Sequence, residues 1–288
     1  MSHDQADGGT EPGEPAKDYG RAGRNLPAAI GVGVILGAAA LISLYTIKVT
    51  FLVLVVAAVG AAVWELSRAL ATRDIRVPLV PLGVGSAAML VGAYVDGPRS
   101  LAGALALTML AIMIWRIPGG ADGYVRDMTA SLFAAMYVPF LAGFAALLLA
   151  APDGDDRVVT FIAVTIASDI GGYAAGVLFG RHPLAPKVSP KKTWEGSAGS
   201  MLASVVCGGV LLPVLFHGAI WQGVIVGAAA MLTATVGDLV ESVIKRDLGV
   251  KDLGTLLPGH GGVMDRLDSL LATVPVYWLL MTVFVPHM

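Results

Sequence analysis

Nine long apolar runs occupy most of the 288-residue chain, and no other feature of the sequence constrains its fold as strongly. Each run is close to the ~20 residues that a helix needs to cross the hydrocarbon core of a bilayer. Alanine, glycine, valine and leucine dominate the runs, without the alternating pattern of a membrane β-barrel strand. The pattern therefore predicts an all-α fold, a polytopic membrane bundle of about nine transmembrane helices. The runs are 27–46, 49–66, 77–95, 100–117, 129–151, 158–180, 197–216, 218–241 and 268–286.

Composition agrees with a membrane protein and divides the chain into three regions. Hydrophobic residues make up 56% of the chain and charged residues only 14%, a combination that excludes an ordinary soluble domain. Residues 1–25 are polar and rich in Gly, Pro, Asp and Glu, which predicts a disordered cytoplasmic tail and not a signal peptide. Residues 26–157 hold five spans. Residues 158–288 hold four spans with two polar loops, and these loops carry the candidate chemistry.

The basic residues predict the orientation of the chain. With nine crossings, the amino terminus shares one side with the loops after the second, fourth, sixth and eighth spans. Sixteen of the 19 Lys and Arg residues fall on that side, and only Lys48, Arg99 and Arg157 fall on the other. Because positive charge marks the cytoplasmic side, we expect a cytoplasmic amino terminus, an outer carboxyl terminus and residence in the inner (plasma) membrane of a cell.

The polar stretch 242–268, SVIKRDLGVKDLGTLLPGHGGVMDRLD, mixes bases and acids at high density. Such a mixture suits a polyphosphate, whose oxygens need Lys or Arg and whose metal ion needs carboxylates. Asp238, Glu241, Ser242 and Lys245 have the spacing i, i+3, i+4, i+7, which places them on one face of a helix. Asp265 and Asp268 repeat the i, i+3 spacing where the last helix starts, so the two carboxylates can share a metal.

The turn in this stretch and a second polar stretch add further candidates. Gly261 and Gly262 let backbone N–H groups approach a ligand closely, a phosphate nest to which His260 adds a hydrogen bond or a proton. Asp169 lies midway along the sixth apolar run, where a carboxylate costs roughly 2.5–3.5 kcal/mol, and we expect it to face inward. The following glycines, Gly172, Gly176 and Gly180, predict close packing of that face against another helix.

Each candidate has a structural alternative. The basic loop with Lys187, Lys191 and Lys192 either clamps phosphates or only sets the topology, and composition does not separate these readings. Asp169 could make a structural hydrogen bond to a neighbouring helix. Two further acids near span ends, Glu65 and Asp96, are interpreted as interfacial or helix-capping residues and are left out of the site. Cys207 is the single cysteine, which excludes an intrachain disulfide and a cysteine metal cluster.

These residues resemble the phosphatidate cytidylyltransferases, also called CDP-diacylglycerol synthases. The family signature S-x-x-K-R-x4-K-D-x-G-x3-P-x-H-G-G-x-x-D-R-x-D is matched at every fixed position between residues 242 and 268. A second block of the family is matched between residues 169 and 196, with Ile170 where a threonine is common. The two blocks cover about the last 120 residues, whereas the first five spans resemble the family only in being hydrophobic.

The resemblance implies transfer of the cytidylyl group of CTP to phosphatidate, with pyrophosphate as the leaving group and Mg²⁺, with a second cation left open, as the cofactor. The expected partners are CTP, phosphatidate and membrane lipid, with a homodimer left open and no nucleic acid. On this reading we assign catalytic roles to Lys245, Arg246, Lys251, Asp252, His260 and Arg266. Substrate binding is assigned to Ser189, Lys191, Lys192, Thr193, Ser242, Gly261 and Gly262. Metal binding is assigned to Asp265, Asp268, Asp238 and Asp169.

Two alternatives compete with this reading. A CTP-dependent nucleotidyltransferase for another lipid phosphate, such as a polyprenol or isoprenoid ether lipid phosphate, would share the nucleotide half of the site. A transporter for an anionic solute would use Asp169 and Glu241 as coupling carboxylates. Transporters commonly have two related halves, whereas here the polar motifs are confined to the last part of the chain.

Overall fold

The computed structural model describes residues 26–186, 188–256 and 261–286, with the side chains of residues 26–34 and 36 excepted. The predicted tail, Lys187 and His260 therefore lie outside the described residues. Ten α-helices and one short β-hairpin make up the described part. The helices are α1 (Leu26–Thr46), α2 (Lys48–Ala71), α3 (Leu79–Asp96), α4 (Pro98–Arg116), α5 (Tyr124–Ala135), α6 (Leu141–Ala150), α7 (Gly154–Phe179), α8 (Trp194–Phe216), α9 (Ile220–Leu248) and α10 (Met264–Phe284). The hairpin strands are β1 (Pro183–Ala185) and β2 (Ser189–Thr193), which pair antiparallel.

The helices confirm an all-α polytopic membrane fold. Eight helical segments are long and apolar enough to cross a membrane. The remaining helix, α1, has 21 residues and no charged side chain. One of the eight segments, Tyr124–Ala150, consists of α5 and α6 joined by a π-helical turn that contains Pro139. Proline has no N–H to donate, and a π turn accommodates that missing bond without ending the span.

One helix end differs from the predicted runs in a way that matters for the site. The eighth run was predicted to end at residue 241, but α9 continues to Leu248. Its last two turns are polar, and Glu241 and Lys245 form an i, i+4 ion pair along the helix. This pairing stabilises helical conformation where hydropathy alone predicts a loop. Ser242, Lys245 and Arg246 consequently lie on a helix.

Contacts between loops show that alternate connections lie at the same end of the bundle. At the loop face, which carries residues 72–78, 117–123, 180–186, 188–193, 249–256 and 261–262, Arg73 donates hydrogen bonds to the Asp247 and Leu248 carbonyls at the end of α9. At the opposite face, Lys48 donates to the carbonyls of Ala151 and Pro152. Arg157 donates to the Val285 carbonyl at the same face. This alternation is the arrangement that nine crossings require.

Close packing of small residues joins the helices that carry the polar motifs. A Cβ atom on Gly171 would collide with the Gly199 carbonyl and Ala203 of α8, and one on Gly172 would overlap Ser200. A Cβ atom on Gly180 would lie 3.0 Å from Thr193 Oγ1, whereas one on Gly176 would make ordinary contacts with Thr193 and Gly196. Without a hydrophobic driving force between helices in lipid, such contacts supply the packing energy. The predicted close packing of this glycine face is confirmed, and it fixes Asp169 relative to β2 and α8.

A buried ion pair ties α4 to α5 at the loop face. The Asp127 side chain is fully buried and accepts hydrogen bonds from Arg116 Nε at 2.9 Å and from the Arg76 backbone N–H at 3.1 Å. A second Arg116 nitrogen donates to the Asp122 carbonyl at 2.8 Å. Three connected segments therefore depend on one carboxylate.

The substitution Asp127→Ala should strongly destabilise the bundle, because it leaves the Arg116 guanidinium buried beside no anion. Removing one partner of a buried ion pair costs about 3–5 kcal/mol. Equilibrium unfolding in mixed detergent and SDS micelles measures the change in the free energy of unfolding. Asp122→Ala is the matched control, because that side chain is exposed and only its backbone carbonyl is used. The control should change the free energy by no more than about 0.5 kcal/mol. Equal values for the two variants would contradict the role of the pair.

Candidate active site

A cavity of about 520 Å³ opens near the loop face between α7, β2, α8, α9 and α10. Its walls combine carboxylates, basic side chains and small residues. All four predicted metal ligands and part of the predicted basic loop reach it, although they come from separate segments of the chain. The predicted site residues that line it are Asp169, Lys191, Lys192, Thr193, Asp238, Asp265, Arg266 and Asp268.

Three carboxylates form an acidic cluster at one wall of this cavity. One oxygen atom from each of Asp238, Glu241 and Asp268 lies within 4.8 Å of the other two. Glu241 is 1% exposed and Asp268 is 6% exposed. Carboxylates this close repel one another strongly in a medium of low dielectric unless a cation lies between them. Oxygen ligands in this arrangement suit a divalent ion such as Mg²⁺.

An orphaned oxygen in the cluster also fits a bound cation. Glu241 Oε2 pairs with Lys245, but Glu241 Oε1 is buried and has no hydrogen-bond partner among the described residues. A buried acceptor without a donor is costly, and a metal ion would satisfy it. The sequence placed Glu241 on the same helical face as Asp238 but did not assign it to the metal. Its spacing of three residues from Asp238 was the available signal.

Asp265 lies beside the acidic cluster and connects the last polar loop to α10. Its Oδ1 accepts a bond from Lys245 Nζ at 3.1 Å. Its Oδ2 accepts from the backbone N–H of Gly262 at 3.0 Å and of Leu253 at 3.2 Å. The carboxylate thus already has three protein donors around it. Direct metal binding by Asp265, and by Asp169 on the far wall, stays a prediction.

Of the predicted phosphate nest, the structure describes Gly261 and Gly262. Gly261 has a φ of +85°, a left-handed conformation that favours glycine. The Gly262 N–H donates to Asp265 and is therefore not directed at a ligand. A Cβ atom on Gly262 would come within 2.6 Å of Glu65 Oε2. Gly262 is thus explained by the close approach of protein side chains, while a substrate role for it stays a prediction.

The β-hairpin closes over the end of α9. Thr193 caps α8 by accepting the Gly196 N–H at 3.1 Å. Lys192 forms an ion pair with Asp238 of the acidic cluster. Arg246 Nε donates to the Val188 carbonyl in the hairpin. The hairpin is therefore linked at two points to the helix that carries the acids, which a loop that only sets topology would not need.

Some predicted residues lie away from this cavity. Lys251 and Asp252 are exposed on the last loop, and Arg246 is exposed at the end of α9. Ser189 and Ser242 are partly buried but are not among the described residues that line the cavity. Their proposed roles in catalysis or substrate binding stay predictions.

Two acids that the sequence analysis left out of the site have different surroundings in the structure. Asp96 is exposed and accepts a hydrogen bond from Ser100 in the first turn of α4, which confirms its interpretation as a helix-end residue. Glu65 is 1% exposed, and its carboxylate accepts the N–H of Met264 at 2.9 Å. Of its two interpretations, the structure supports the helix-capping one, but the helix is α10 and not its own, because its donors Leu256 and Met264 lie almost 200 residues later in the chain. An acid inside the second apolar run was the signal that could have shown this.

Comparisons with known proteins agree over nearly the whole chain. The family model described as the cytidylyltransferase family matches residues 27–284. The chain is 40% identical over 288 residues to the phosphatidate cytidylyltransferase of Mycobacterium leprae (strain TN), covering 93% of this chain and 91% of that protein. It is 39% identical over 285 residues to the protein of the same name from Mycobacterium bovis, covering 93% and 92%. A phosphatidate cytidylyltransferase of Haemophilus influenzae is 34% identical over 207 residues, covering 65% of this chain and 72% of that protein.

The acidic cluster predicts that the protein binds a divalent cation even when no nucleotide or lipid substrate is present. Titration of the detergent-purified protein with Mn²⁺, followed by electron paramagnetic resonance, should show binding that Glu241→Gln and Asp268→Asn each weaken at least about tenfold, because each removes a negative charge from the cluster. Asp247→Asn is the control, since that exposed acid is outside the cluster. Unchanged Mn²⁺ affinity in both cluster variants would contradict the assignment.

Proposed function

This chain belongs to the cytidylyltransferase family, and from that premise we propose that it is a phosphatidate cytidylyltransferase that makes CDP-diacylglycerol in phospholipid biosynthesis. In this reaction an oxygen of the phosphatidate phosphate attacks the α-phosphorus of CTP. The bond from that phosphorus to the oxygen that bridges it to the β-phosphorus breaks, and pyrophosphate leaves. The observation that carries the proposal is the cavity in which Asp238 and Asp268 of the acidic cluster meet Lys191, Lys192 and Arg266.

The chemistry requires mainly charge neutralisation and positioning, because both reactants are anions. Mg²⁺, held by Asp238, Glu241 and Asp268 with Asp265 and Asp169 nearby, would supply positive charge to the phosphates and orient them. A second cation belongs to the same proposal. Lys191, Lys192 and Arg266 would face the phosphate oxygens from the other walls. No general base is needed, since the lipid phosphate is already ionised.

Lys245 has a different proposed role from the bases that line the cavity. Its ammonium group lies between the Glu241 and Asp265 carboxylates. In that position it holds two acids of the site at fixed separation. The sequence analysis assigned catalytic roles to four bases, Lys245, Arg246, Lys251 and Arg266. In our proposal only Arg266 of these four contacts the phosphates directly, together with the hairpin lysines Lys191 and Lys192.

The cavity suits a substrate that stays in the membrane. Ile166 and Tyr173 line it next to Asp169, and both are largely exposed at the outer surface of α7. Apolar side chains at that surface would contact lipid tails while the carboxylates and bases contact the headgroup. Other lipid phosphates share these features, so competition between phosphatidate and a polyprenol phosphate would identify the acceptor. A homodimer stays a prediction.

Purified protein in detergent should release pyrophosphate from CTP only when phosphatidate and Mg²⁺ are both present. Asp268→Asn and Asp265→Asn should each lower turnover at least about 100-fold, because each removes charge beside the reacting phosphates. Asp247→Asn should retain wild-type turnover, and thermal melting would verify that all variants are folded. If the folded wild-type protein released no more pyrophosphate than a protein-free control, the proposed reaction would be wrong.

We further propose that the loop face is cytoplasmic and that the protein resides in the plasma membrane. Of the basic residues outside the spans, those on the described loops are concentrated at the loop face, whereas Lys48, Arg99 and Arg157 are on the opposite side. The positive-inside rule then assigns the loop face to the cytoplasm. CTP is a cytoplasmic nucleotide, so this orientation also matches the proposed substrate.

Single cysteines can test this orientation in a Cys207→Ala background. Ala121 and Ala219 are exposed loop residues at the loop face and the opposite face, and Ala→Cys is a small change. In right-side-out membrane vesicles, a membrane-impermeant maleimide should label Ala219→Cys and spare Ala121→Cys. Inside-out vesicles should give the reverse. Labelling of Ala121→Cys alone in right-side-out vesicles would invert the proposed topology.

A further inference from the structure

Glu65 is a buried carboxylate in α2, in the half of the chain where no catalytic motif was found. Its Oε1 accepts the Leu256 N–H at 3.3 Å, and its Oε2 accepts the Met264 N–H at 2.9 Å. The two donors lie on either side of residues 257–263, which include the glycine turn. The Glu65 carboxylate thus accepts one backbone hydrogen bond before this stretch of the sequence and one after it.

Two glycines of the loop allow this carboxylate to approach so closely. A Cβ atom on Gly254 would overlap the Glu65 carboxylate group, and all three of its nearest neighbours would be Glu65 atoms. A Cβ atom on Gly262 would also contact Glu65 Oε2, at 2.6 Å. Described residues on both sides of 257–260 therefore pack directly against the Glu65 side chain. Both glycines are matched signature positions, and this contact gives a physical reason for their lack of a side chain.

The carboxylate also stabilises the start of α10. Met264 is the first residue of this helix, and the N–H groups of a first helical turn have no partner within the helix. A negative oxygen that accepts such a hydrogen bond is favoured by charge and by the helix dipole. Asp265 follows directly, and Asp268 lies one turn later in the acidic cluster. Fixing Met264 therefore fixes the direction in which both acids point.

We infer that Glu65 is a positioning residue for cytidylyl transfer, holding Leu256 of the last loop and the first turn of α10 so that Asp265 and Asp268 face the cavity. The kinetic part of this inference rests on the proposed function. A purely structural Glu65 would contribute to the stability of the bundle without affecting the loop or the reaction selectively. The two roles differ in measurable ways.

The first test is Glu65→Gln, which keeps the size of the side chain and replaces one acceptor oxygen by an NH₂ donor. That donor would face a backbone N–H, so one end of the turn should be released. Hydrogen–deuterium exchange without substrate should rise at least about tenfold in the peptide that covers residues 253–264 and stay unchanged in α3 and α4. The kcat/KM for CTP should fall by at least about tenfold.

Asp127→Asn is the control for general damage, because Asp127 is equally buried at the loop face but contacts none of the residues of the last loop that the structure describes. This variant should lower the melting temperature while exchange in residues 253–264 and kcat/KM stay near wild type. If Asp127→Asn changed the loop and the kinetics as much as Glu65→Gln, Glu65 would be a structural residue only.

The second test is a double-mutant cycle between Glu65 and Gly254. In the wild-type background, Gly254→Ala should lower the melting temperature and raise loop exchange, because the new methyl group collides with the carboxylate. In a Glu65→Ala background the space is open, so Gly254→Ala should have little further effect on either measurement. Additive effects in the two backgrounds would overturn the proposed contact.

The outcomes separate this inference from the proposed reaction. Unchanged loop exchange in Glu65→Gln would overturn the inference whatever the activity of the wild type. Faster exchange with unchanged kcat/KM would overturn the positioning role. If the wild type released no pyrophosphate, the proposed function would be wrong. Faster loop exchange in Glu65→Gln would then still support the Glu65 contact, because the exchange measurement requires no substrate.

Discussion

Hydrocarbon offers no partner to a charge, and this constraint governs where the acids and bases of the chain are located. A charged group within a span must meet another charge, a backbone dipole or water in a cavity. Asp127 meets Arg116, Arg157 meets Asp153 and Glu241 meets Lys245. Only the last of these pairs leaves a buried carboxylate oxygen without a hydrogen bond among the described residues. The unsatisfied acceptor lies in the acidic cluster, where a cation would complete it.

Small residues allow these polar groups to be placed accurately. The α7–α8 contact is made largely by glycines against backbone atoms, and the α8–α9 contact repeats this at Gly208 and Gly223. Backbones that touch directly cannot slide or tilt much without collision. Asp169 on α7, the hairpin lysines before α8 and Asp238 on α9 are therefore held at fixed distances across the cavity. The rigid part of the bundle positions these walls, and the first turns of α10 add Asp265 and Asp268.

Local patterns in the sequence predicted the helices and part of the site. Hydropathy located all the spans, and the i, i+3 spacing brought Asp238 into register with Glu241, which the structure places with Asp268. What the sequence analysis missed depends on contacts between distant residues. Glu65 was interpreted as interfacial or helix-capping, with no partner named, because nothing within its own helix reveals a hydrogen-bond donor 199 positions away. The hydrogen bond from the Gly262 N–H to Asp265 was also missed. A glycine-rich turn has the same sequence pattern whether its N–H groups bind a ligand or a carboxylate of the protein. The chemical roles of the individual site residues stay predictions.

The distance along the chain between Glu65 and Met264 has a consequence for how the protein is made. At a synthesis rate of about 5–20 residues per second, roughly 10–40 s pass between the appearance of the acid and that of its partner. During that interval α2 is already synthesised, and its carboxylate has to be accommodated by water, headgroups or temporary neighbours. The hydrogen bond from Met264 to Glu65 cannot form until the final helix begins to insert. The catalytic end of the bundle is thus completed last, and a chain that stops before Leu256 holds an acid in its second span that lacks the backbone donors of both Leu256 and Met264.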